Sequence, residues 1–161
     1  MPTDIFAKLA DIKGESADAK HKDEIEVLSF SWGVSNSVPP GSGGGGGAGK
    51  ATFHDLSFVH HIDKASPLLL KACATGTHIK EATITHRKGG KTPQEYLIVK
   101  MNDIIITGVT HSGGAGQPDT GSEIVSMSFS KVDFSYKPQN PNGSLGGAVS
   151  FKYDLIANKT F

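Results

Sequence analysis

The stretch EIEVLSFSWGVSN, residues 24–36, decides how this chain folds. Its large apolar residues alternate with small ones: Leu28, Phe30, Trp32 and Val34 occupy every second position, with Ser29, Ser31 and Gly33 between them. Successive side chains of a strand point to opposite faces of a sheet. The pattern therefore predicts a half-buried strand with an aromatic core face and a small, polar outer face.

The same alternation recurs along the rest of the chain. It runs through residues 56–62 and 149–155, whereas residues 96–109 are apolar on both faces. We expect the two-sided segment to lie at the centre of a sheet or to be covered by another subunit. The apolar set of residues 125–136 changes phase at Ser130-Lys131. Either a β-bulge or a strand that bends between two sheets would produce that change.

One stretch favours a helix. Ser66 can cap its N-terminus, Pro67 suits its first position, and Gly76 can close its C-terminus. Strands and helices do not alternate, and the chain has no internal repeat. The sequence thus predicts a single mainly β domain over residues 1–161. We expect two packed antiparallel sheets that form a β-barrel, with one short flanking α-helix and a long glycine-rich loop.

Composition excludes several classes of function. The 161 residues hold equal numbers of basic and acidic side chains, 16 of each, so the net charge of zero argues against a general nucleic-acid binder. The single cysteine, Cys73, excludes an intrachain disulfide and a multi-cysteine zinc site. Neither a secretory leader nor an apolar run long enough to span a bilayer is visible. We therefore expect synthesis in the cytoplasm and, if the protein leaves the cell, export without a cleaved leader.

A phosphate-binding loop is the first alternative that the motifs raise. Gly44, Gly49 and Lys50 match the first part of a P-loop, but Ala51 stands where the Ser or Thr that binds magnesium belongs. The segment after Ala51 has the pattern of a strand, whereas a phosphate site needs the start of a helix there. The glycine run is more consistent with a flexible hairpin loop than with a nucleotide site.

A metal-binding barrel enzyme of the cupin type is the second alternative. It would require His54, His60 and His86 to converge at one mouth of the barrel. No His-Glu-x-x-His motif or paired-cysteine motif supports this interpretation. We therefore predict no catalytic residue, no metal ligand and no cofactor.

Several blocks of sequence, in order along nearly the whole chain, match a known family. They are Lys13-Gly14-Glu15-Ser16 with His21, Phe30-Ser31-Trp32-Gly33, Asp55-Leu56-Ser57-Phe58, Asp63-Lys64-Ala65-Ser66-Pro67, and Glu123-Ile124-Val125-Ser126 with Tyr136-Lys137-Pro138-Gln139. On these blocks the chain resembles the haemolysin-coregulated proteins (Hcp). These proteins form the tube of the bacterial type VI secretion system.

The resemblance implies a structural and transport role without catalysis. Subunits of this family form a homohexameric ring with a wide lumen, and the rings stack into a tube. A contractile sheath drives the tube, tipped by a spike protein, out of the bacterium with effector proteins in its lumen. The resemblance thus implies secretion without a signal peptide, and no nucleic-acid partner or membrane insertion. A phage tail tube is the near alternative.

The resemblance and the pattern together assign three sets of residues. Ser31 matches a family position that faces the lumen, and Ser29 shares its face, so both are expected to contact effectors. The loop from Val38 to Lys50 resembles the family's ring-stacking loop; its named residues are Val38, Gly43, Gly44, Gly45, Gly46, Gly47 and Lys50. The two-sided strand supplies Ile98, Ile104 and Ile106 as candidates for the interface between protomers.

Overall fold

The computed structural model describes residues 2–37 and 51–161. Within these ranges the chain forms twelve strands and one helix. They are β1 (Thr3–Leu9), β2 (Ile25–Val27), β3 (Ser29–Ser31), β4 (Val34–Asn36), β5 (Ala51–Phe53), β6 (Leu56–His61), α1 (Ser66–Thr75), β7 (Ile79–Lys88), β8 (Gln94–Ser112), β9 (Ser122–Ser128), β10 (Lys131–Tyr136), β11 (Val149–Asp154) and β12 (Lys159–Thr160).

Two sheets share the long strand β8. Its first part, residues 94–104, pairs with β7 and β10 in a sheet of order β12-β11-β10-β8-β7-β1-β2, which we call sheet A. Its second part, residues 105–112, pairs with β9 in a sheet of order β3-β6-β9-β8, which we call sheet B. All the described pairings are antiparallel. The predicted class, two antiparallel sheets with a flanking helix, is confirmed.

The sheets meet at a bend around Leu28 instead of closing as one continuous ladder. β2 pairs with β1 in sheet A, and β3 pairs with β6 in sheet B. Between them Leu28 donates its backbone N–H to the carbonyl of Val59 at 2.7 Å. The prediction of one long strand over residues 24–36 is therefore wrong: the segment forms β2, β3 and β4. Leu28 and Val34, predicted to face the core, are 53% and 45% exposed.

The phase change at Ser130-Lys131 marks another passage between the sheets. β9 pairs with residues 105–112 of β8 in sheet B, and β10 pairs with residues 97–102 of β8 in sheet A. Of the two explanations that the sequence left open, the strand that passes from one sheet to the other is correct.

The core lies between the two sheets, and α1 packs against it. Leu69 and Ala72 of the helix are buried, and Gly76 ends the helix with a left-handed φ of 64°. Ser66 is the first helical residue and Ala65 takes the N-cap position, so the predicted cap is displaced by one residue. The Ser66 hydroxyl instead accepts the backbone N–H of Asp63 at 3.1 Å, which fixes the link from β6 into the helix.

The hairpin of β4 and β5 is held in place by aromatic rings. Asn36 of β4 lies opposite Ala51 of β5. The ring centroid of Phe53 lies 4.7 Å from that of Tyr153 on β11. The Trp32 ring, just before β4, lies 6.0 Å from that of Phe134 on β10. Stacking of this kind anchors the base of the hairpin on the edge of sheet A.

Candidate functional site

The outward face of sheet B consists mostly of small side chains. The inward side chains Leu56, Phe58, Val125 and Met127 are fully buried, and their neighbours along each strand point the other way. We call the outward set the serine face. It carries His61 at one end and Ile105 at the other. Its members are Ser29, Ser31, Ser57, Val59, His61, Ile105, Gly108, Thr110, Ser112, Ser122, Ile124, Ser126 and Ser128.

One row of this face crosses all four strands without a side chain larger than serine. In the register of the sheet Ser31 lies opposite Ser57, Ser57 opposite Ser126, and Ser126 opposite Gly108. The hydroxyls of Ser57 and Ser126 are hydrogen-bonded at 2.9 Å. Each hydroxyl can donate and accept, so the row satisfies part of its own hydrogen-bonding capacity. The result is a smooth, neutral surface with few fixed bonding directions.

The next row adds a single large apolar side chain. Ser29, Val59, Ile124 and Thr110 follow one another across the strands. Ile124 is 47% exposed although β9 lies inside the sheet, between β6 and β8. Sequence reasoning missed Ile124. The signal was available, because its neighbours Val125 and Met127 were already placed in the core.

Each predicted site residue has a definite place or lies outside the described residues. Ser29 and Ser31 are both exposed on the serine face. Ile104 and Ile106 are buried in the subunit's own core, at 0% and 1% exposure, so they offer no surface to a neighbouring protomer. Ile98 is partly exposed on the outward face of sheet A. Of the three predicted interface residues, it is therefore the one whose side chain a neighbouring protomer can contact. The loop residues Val38, Gly43, Gly44, Gly45, Gly46, Gly47 and Lys50 lie outside the described residues.

The outward face of sheet A, in contrast, is crossed near one end by the segment of residues 13–24, which we call the strap. His21 stacks on Phe6 of β1 with ring centroids 4.3 Å apart. Its two ring nitrogens lie 2.6 Å from a Glu24 carboxylate oxygen and 2.8 Å from a Glu95 carboxylate oxygen. Arg87 of β7 reaches up to Asp18 and Asp4, and its guanidinium also lies 4.8 Å from the Phe6 ring.

The strap explains the Lys-Gly-Glu-Ser motif. Gly14 donates to the Asp23 carbonyl at 2.8 Å, and Ser16 donates to the Glu24 carbonyl at 3.0 Å, so the two ends of the strap pair with each other. A Cβ on Gly14 would lie 2.6 Å from the Glu24 carbonyl oxygen, which only glycine avoids. Hydrogen bonding to Arg87 lowers the pKa of Asp18 to about 2, against a partial opposing effect of burial. These motif residues build the fold and contribute nothing to the serine face.

A buried carboxylate lies at one end of sheet B. Glu123 of β9 is fully buried, and its two oxygens bond His60 Nε2 of β6, at 2.7 Å, and His111 Nε2 of β8. His60 is also fully buried, and its Nδ1 lies 3.7 Å from Asp63 Oδ2, too far for a full hydrogen bond. Burial lowers the pKa of His60, but the Asp63 and Glu123 carboxylates outweigh it and raise the value above the ordinary 6.5.

Elsewhere in the described residues, the candidate metal-binding and catalytic side chains do not come together in one site. Within residues 2–37 and 51–161, no three His, Cys, Asp or Glu side chains are grouped so as to hold a metal ion. The three histidines of the cupin alternative differ in environment: His54 is exposed, His60 is bound to Glu123, and burial lowers the pKa of His86. A groove of about 650 Å³ between the strap and the helix is lined by charged side chains of both signs, such as Lys8 and Asp11, and by the apolar Leu9, Ile12 and Leu68. No described helix is both long and apolar enough to cross a membrane.

Comparisons with known proteins agree with this architecture. A family model described as "Type VI secretion system effector, Hcp" matches residues 6–136. Protein hcp1 of Pseudomonas aeruginosa PAO1 is 42% identical over 160 residues, 98% of each chain. The crystal structure of Hcp1 from Salmonella typhimurium has a TM-score of 0.80 at 39% identity and covers 100% of both chains. A structure of a type six secretion system protein reaches a TM-score of 0.93 at 31% identity, covering 99% of this chain and 100% of its own.

The family match spans most of the chain, the identity exceeds 40% over nearly its full length, and the two-sheet architecture is shared. The chain therefore belongs to the Hcp family and is a tube subunit of the type VI secretion system.

Proposed function

We propose that six copies of this chain form a ring whose lumen is lined by the serine face, and that stacked rings carry effector proteins through that lumen. The observation that supports this most directly is the serine face itself. An open sheet face whose two central rows carry no charged side chain and one large side chain, Ile124, suits a wall along which a folded protein must slide. Catalysis has no part in this role.

The two edges of sheet B supply the contacts that would close the ring. β3 pairs only with β6, and residues 105–112 of β8 pair, among the described strands, only with β9. An edge strand presents unpaired backbone N–H and C=O groups that can pair with a strand of another chain. Two different edges on one subunit suit a head-to-tail contact, and a head-to-tail contact that closes makes a ring. We infer that β3 of one copy pairs with the β8 edge of the next.

The dimensions of such a ring fit a protein cargo. Strands in a sheet are spaced by about 4.8 Å, so six four-stranded sheets joined edge to edge form a circle with a diameter, measured between backbones, of about 37 Å before strand tilt widens it. A folded domain of about 100 residues has a radius of gyration of about 13 Å, which for a compact sphere is a diameter of about 34 Å, close to that of the bore. The bore is thus little wider than such a domain, and the small side chains of the serine face keep it from becoming narrower.

The remaining parts of the role come from the family. We propose that the loop from Val38 to Lys50, which resembles the family's ring-stacking loop, contacts the next ring in the stack. We further propose that the spike protein caps the tube and that the contractile sheath drives it. The chain would then be made in the bacterial cytoplasm and leave the cell, for the medium or a target cell, with the tube.

Electron microscopy of the purified protein tests the ring directly. We expect annular particles with a native mass of six subunits and a central bore wide enough to hold a small domain. A chain that stays monomeric at every concentration and in every buffer would refute the ring, and so would an annulus with a bore narrower than a folded domain.

Hydrogen exchange tests which strands make the seam. The backbone amides of residues 105–112 and of β3 should become protected when monomers assemble, because each would gain a strand partner. The amides of β1, which is paired on both sides within the subunit, serve as the internal control. Protection that changes elsewhere but at neither edge of sheet B would mean that another surface closes the ring.

A further inference from the structure

We propose that the ring seam is proton-sensitive, because a buried carboxylate clamped between two histidines holds the edge part of β8 against the rest of sheet B. While His60 is charged the edge is held, and when His60 loses its proton the edge is released. This inference rests on the proposed ring closure. It concerns Glu123, His60 and His111.

The register of sheet B creates the clamp. Glu123 lies directly opposite His60 on one side and directly opposite His111 on the other, so one carboxylate bridges β6, β9 and β8. Both carboxylate oxygens bond a histidine Nε2. An ionised carboxylate buried without compensation is strongly destabilising. The compensation of this buried charge therefore depends in part on His60, a histidine, which is the residue type whose charge changes near neutral pH.

The surroundings of His60 fit its charged form. Its Nε2 faces Glu123, and its Nδ1 faces Asp63 at 3.7 Å without another partner. A neutral ring would turn an unshared electron pair toward one of the two carboxylates, which is unfavourable. The carboxylates keep the pKa of His60 above its ordinary value, so the favourable contacts are complete below about 6.5 and disappear as the pH rises through the higher folded value.

Further charged groups border the clamp. On the outward face of the sheet, His61 lies 4.0 Å from Asp119, and both side chains are about half exposed. From the strap, Glu15 accepts the backbone N–H of Lys64, next to Asp63, at 2.8 Å. These neighbours bring more negative than positive charge to this end of the sheet, so they favour the protonated form of His60.

His111 connects the clamp to the seam. Its side chain is 38% exposed, and it lies in residues 105–112. When His60 is neutral, the buried charge of Glu123 lacks its charged partner on β6, and water must enter to solvate it. The edge part of β8 is the element that can move, because in the described structure it is strand-paired on one side only. Since the ring would be closed through that edge, its subunits should separate more easily at alkaline pH.

Urea-induced dissociation of assembled rings, followed by light scattering, tests the inference. Rings are compared at about pH 6.5 and about pH 9 at equal ionic strength, a range that spans histidine titration from its ordinary value upward. For the unmodified chain we expect a lower urea midpoint at the higher pH. His60→Gln keeps an N–H donor without the charge, so its midpoint should be low at both values. Glu123→Gln removes the charge that needs compensation, so its midpoint should not change with pH.

The control is His78→Gln, which changes an exposed histidine between α1 and β7 and should behave like the unmodified chain. Equal midpoints at the two pH values, or a pH shift that persists in Glu123→Gln, would overturn the proton-sensitive seam and leave the ring standing. If no ring forms at either pH, the proposed function itself fails and the seam falls with it. If His60→Gln does not fold, the comparison of the urea midpoints of Glu123→Gln at the two pH values tests the inference by itself.

Discussion

The outward faces of the two sheets differ in whether another part of the chain covers them. On sheet A the strap covers Phe6 and binds Arg87, and several charged side chains are fixed in pairs. On sheet B nothing in the described chain covers the serine face, whose side chains are mostly small. Both faces contain serine, but Ser16 of the strap is 2% exposed and Ser31 is open to solvent. Part of the outward face of sheet A is thus covered within the subunit, whereas the outward face of sheet B is available to another molecule.

This difference distinguishes residues that stabilise the fold from residues that we expect to act in transport. The strap uses a close backbone contact and buried ion pairs, so substitutions there should change stability. The serine face contributes little to the core, so substitutions there should leave stability unchanged and alter what the lumen accepts. Substitutions that change one face at a time test the distinction, starting with the largest expected loss of stability.

Gly14→Ala should cause the largest loss. The added Cβ would lie 2.6 Å from the Glu24 carbonyl oxygen and 2.7 Å from the Ile25 Cα, and both are backbone atoms that cannot rotate away. Forcing the strap off sheet A should lower the free energy of unfolding by about 3 kcal/mol, the upper range for overpacking. Urea unfolding monitored by circular dichroism measures it.

Gly147→Ala is the matched control, because a Cβ there meets nothing within 4 Å. Its free energy of unfolding should change by less than about 0.5 kcal/mol, as for an ordinary surface substitution. Equal effects of the two alanines would mean that the strap does not need its close backbone contact.

Arg87→Leu should have the next largest effect. It removes the partner of Asp18 and Asp4 and the cation over Phe6, at a position where the arginine side chain is only 8% exposed. Both carboxylates can rehydrate, so we expect a loss of about 2 kcal/mol, below the range for fully buried pairs. Urea unfolding at neutral pH measures the change.

The same substitution should also change how the stability of the fold depends on pH in the acid range. Because Arg87 lowers the pKa of Asp18 to about 2, this pair stabilises the fold above the ordinary aspartate value of 3.8 and loses its effect as the pH falls toward 2. Arg87→Leu should therefore unfold with less dependence on pH between these two values than the unmodified chain. An unchanged acid profile would show that Asp18 is held by something other than Arg87.

Local alternation predicted the strands, and its phase change at Ser130-Lys131 indicated one passage between the sheets, but it gave no sign of the passage at Leu28. Leu28 continues the apolar pattern of Phe30 and Trp32, yet it is exposed, because the strand bends there and its neighbours on either side pair in different sheets. Alternation shows only which residues share a side of one strand. The bend at Leu28 does not interrupt the alternation, so the pattern assigned Leu28 to the core.

The candidate site was predicted in part for a related reason. Ser29 and Ser31 follow from alternation within one segment, and the family resemblance drew attention to Ser31. Ser57 and Ser126 could not be placed beside Ser31, because their alignment depends on pairings between strands far apart in the chain. The clamp around Glu123 depends on the same long-range register, which a single sequence does not reveal.

A pair of serine-to-alanine substitutions compares the faces with the same chemical change. Ser16→Ala removes a buried hydroxyl that accepts the Asp18 backbone N–H at 3.2 Å, and should cost about 1 kcal/mol. Ser31→Ala removes an exposed hydroxyl and should stay within about 0.5 kcal/mol of the unmodified chain. Thermal unfolding of the two variants side by side measures the difference. Equal losses of stability in the two variants would contradict the distinction between the face that the strap covers and the exposed serine face.

Ser31→Gln should have the smallest effect on stability and the clearest effect on transport. The longer side chain points away from the core, so the subunit and its ring should form normally. In a ring of six, however, the substitution places six bulky amides at one level of the lumen, where they narrow the bore and add fixed hydrogen-bonding groups. Effector proteins should therefore copurify with the rings in smaller amounts, as counted by mass spectrometry of rings isolated from the producing cell. Ser150→Gln is the matched control, since Ser150 is exposed on β11 in sheet A and outside the serine face. If the two variants retain equal amounts of effector, the serine face is not the wall that cargo contacts, although the ring itself could still stand.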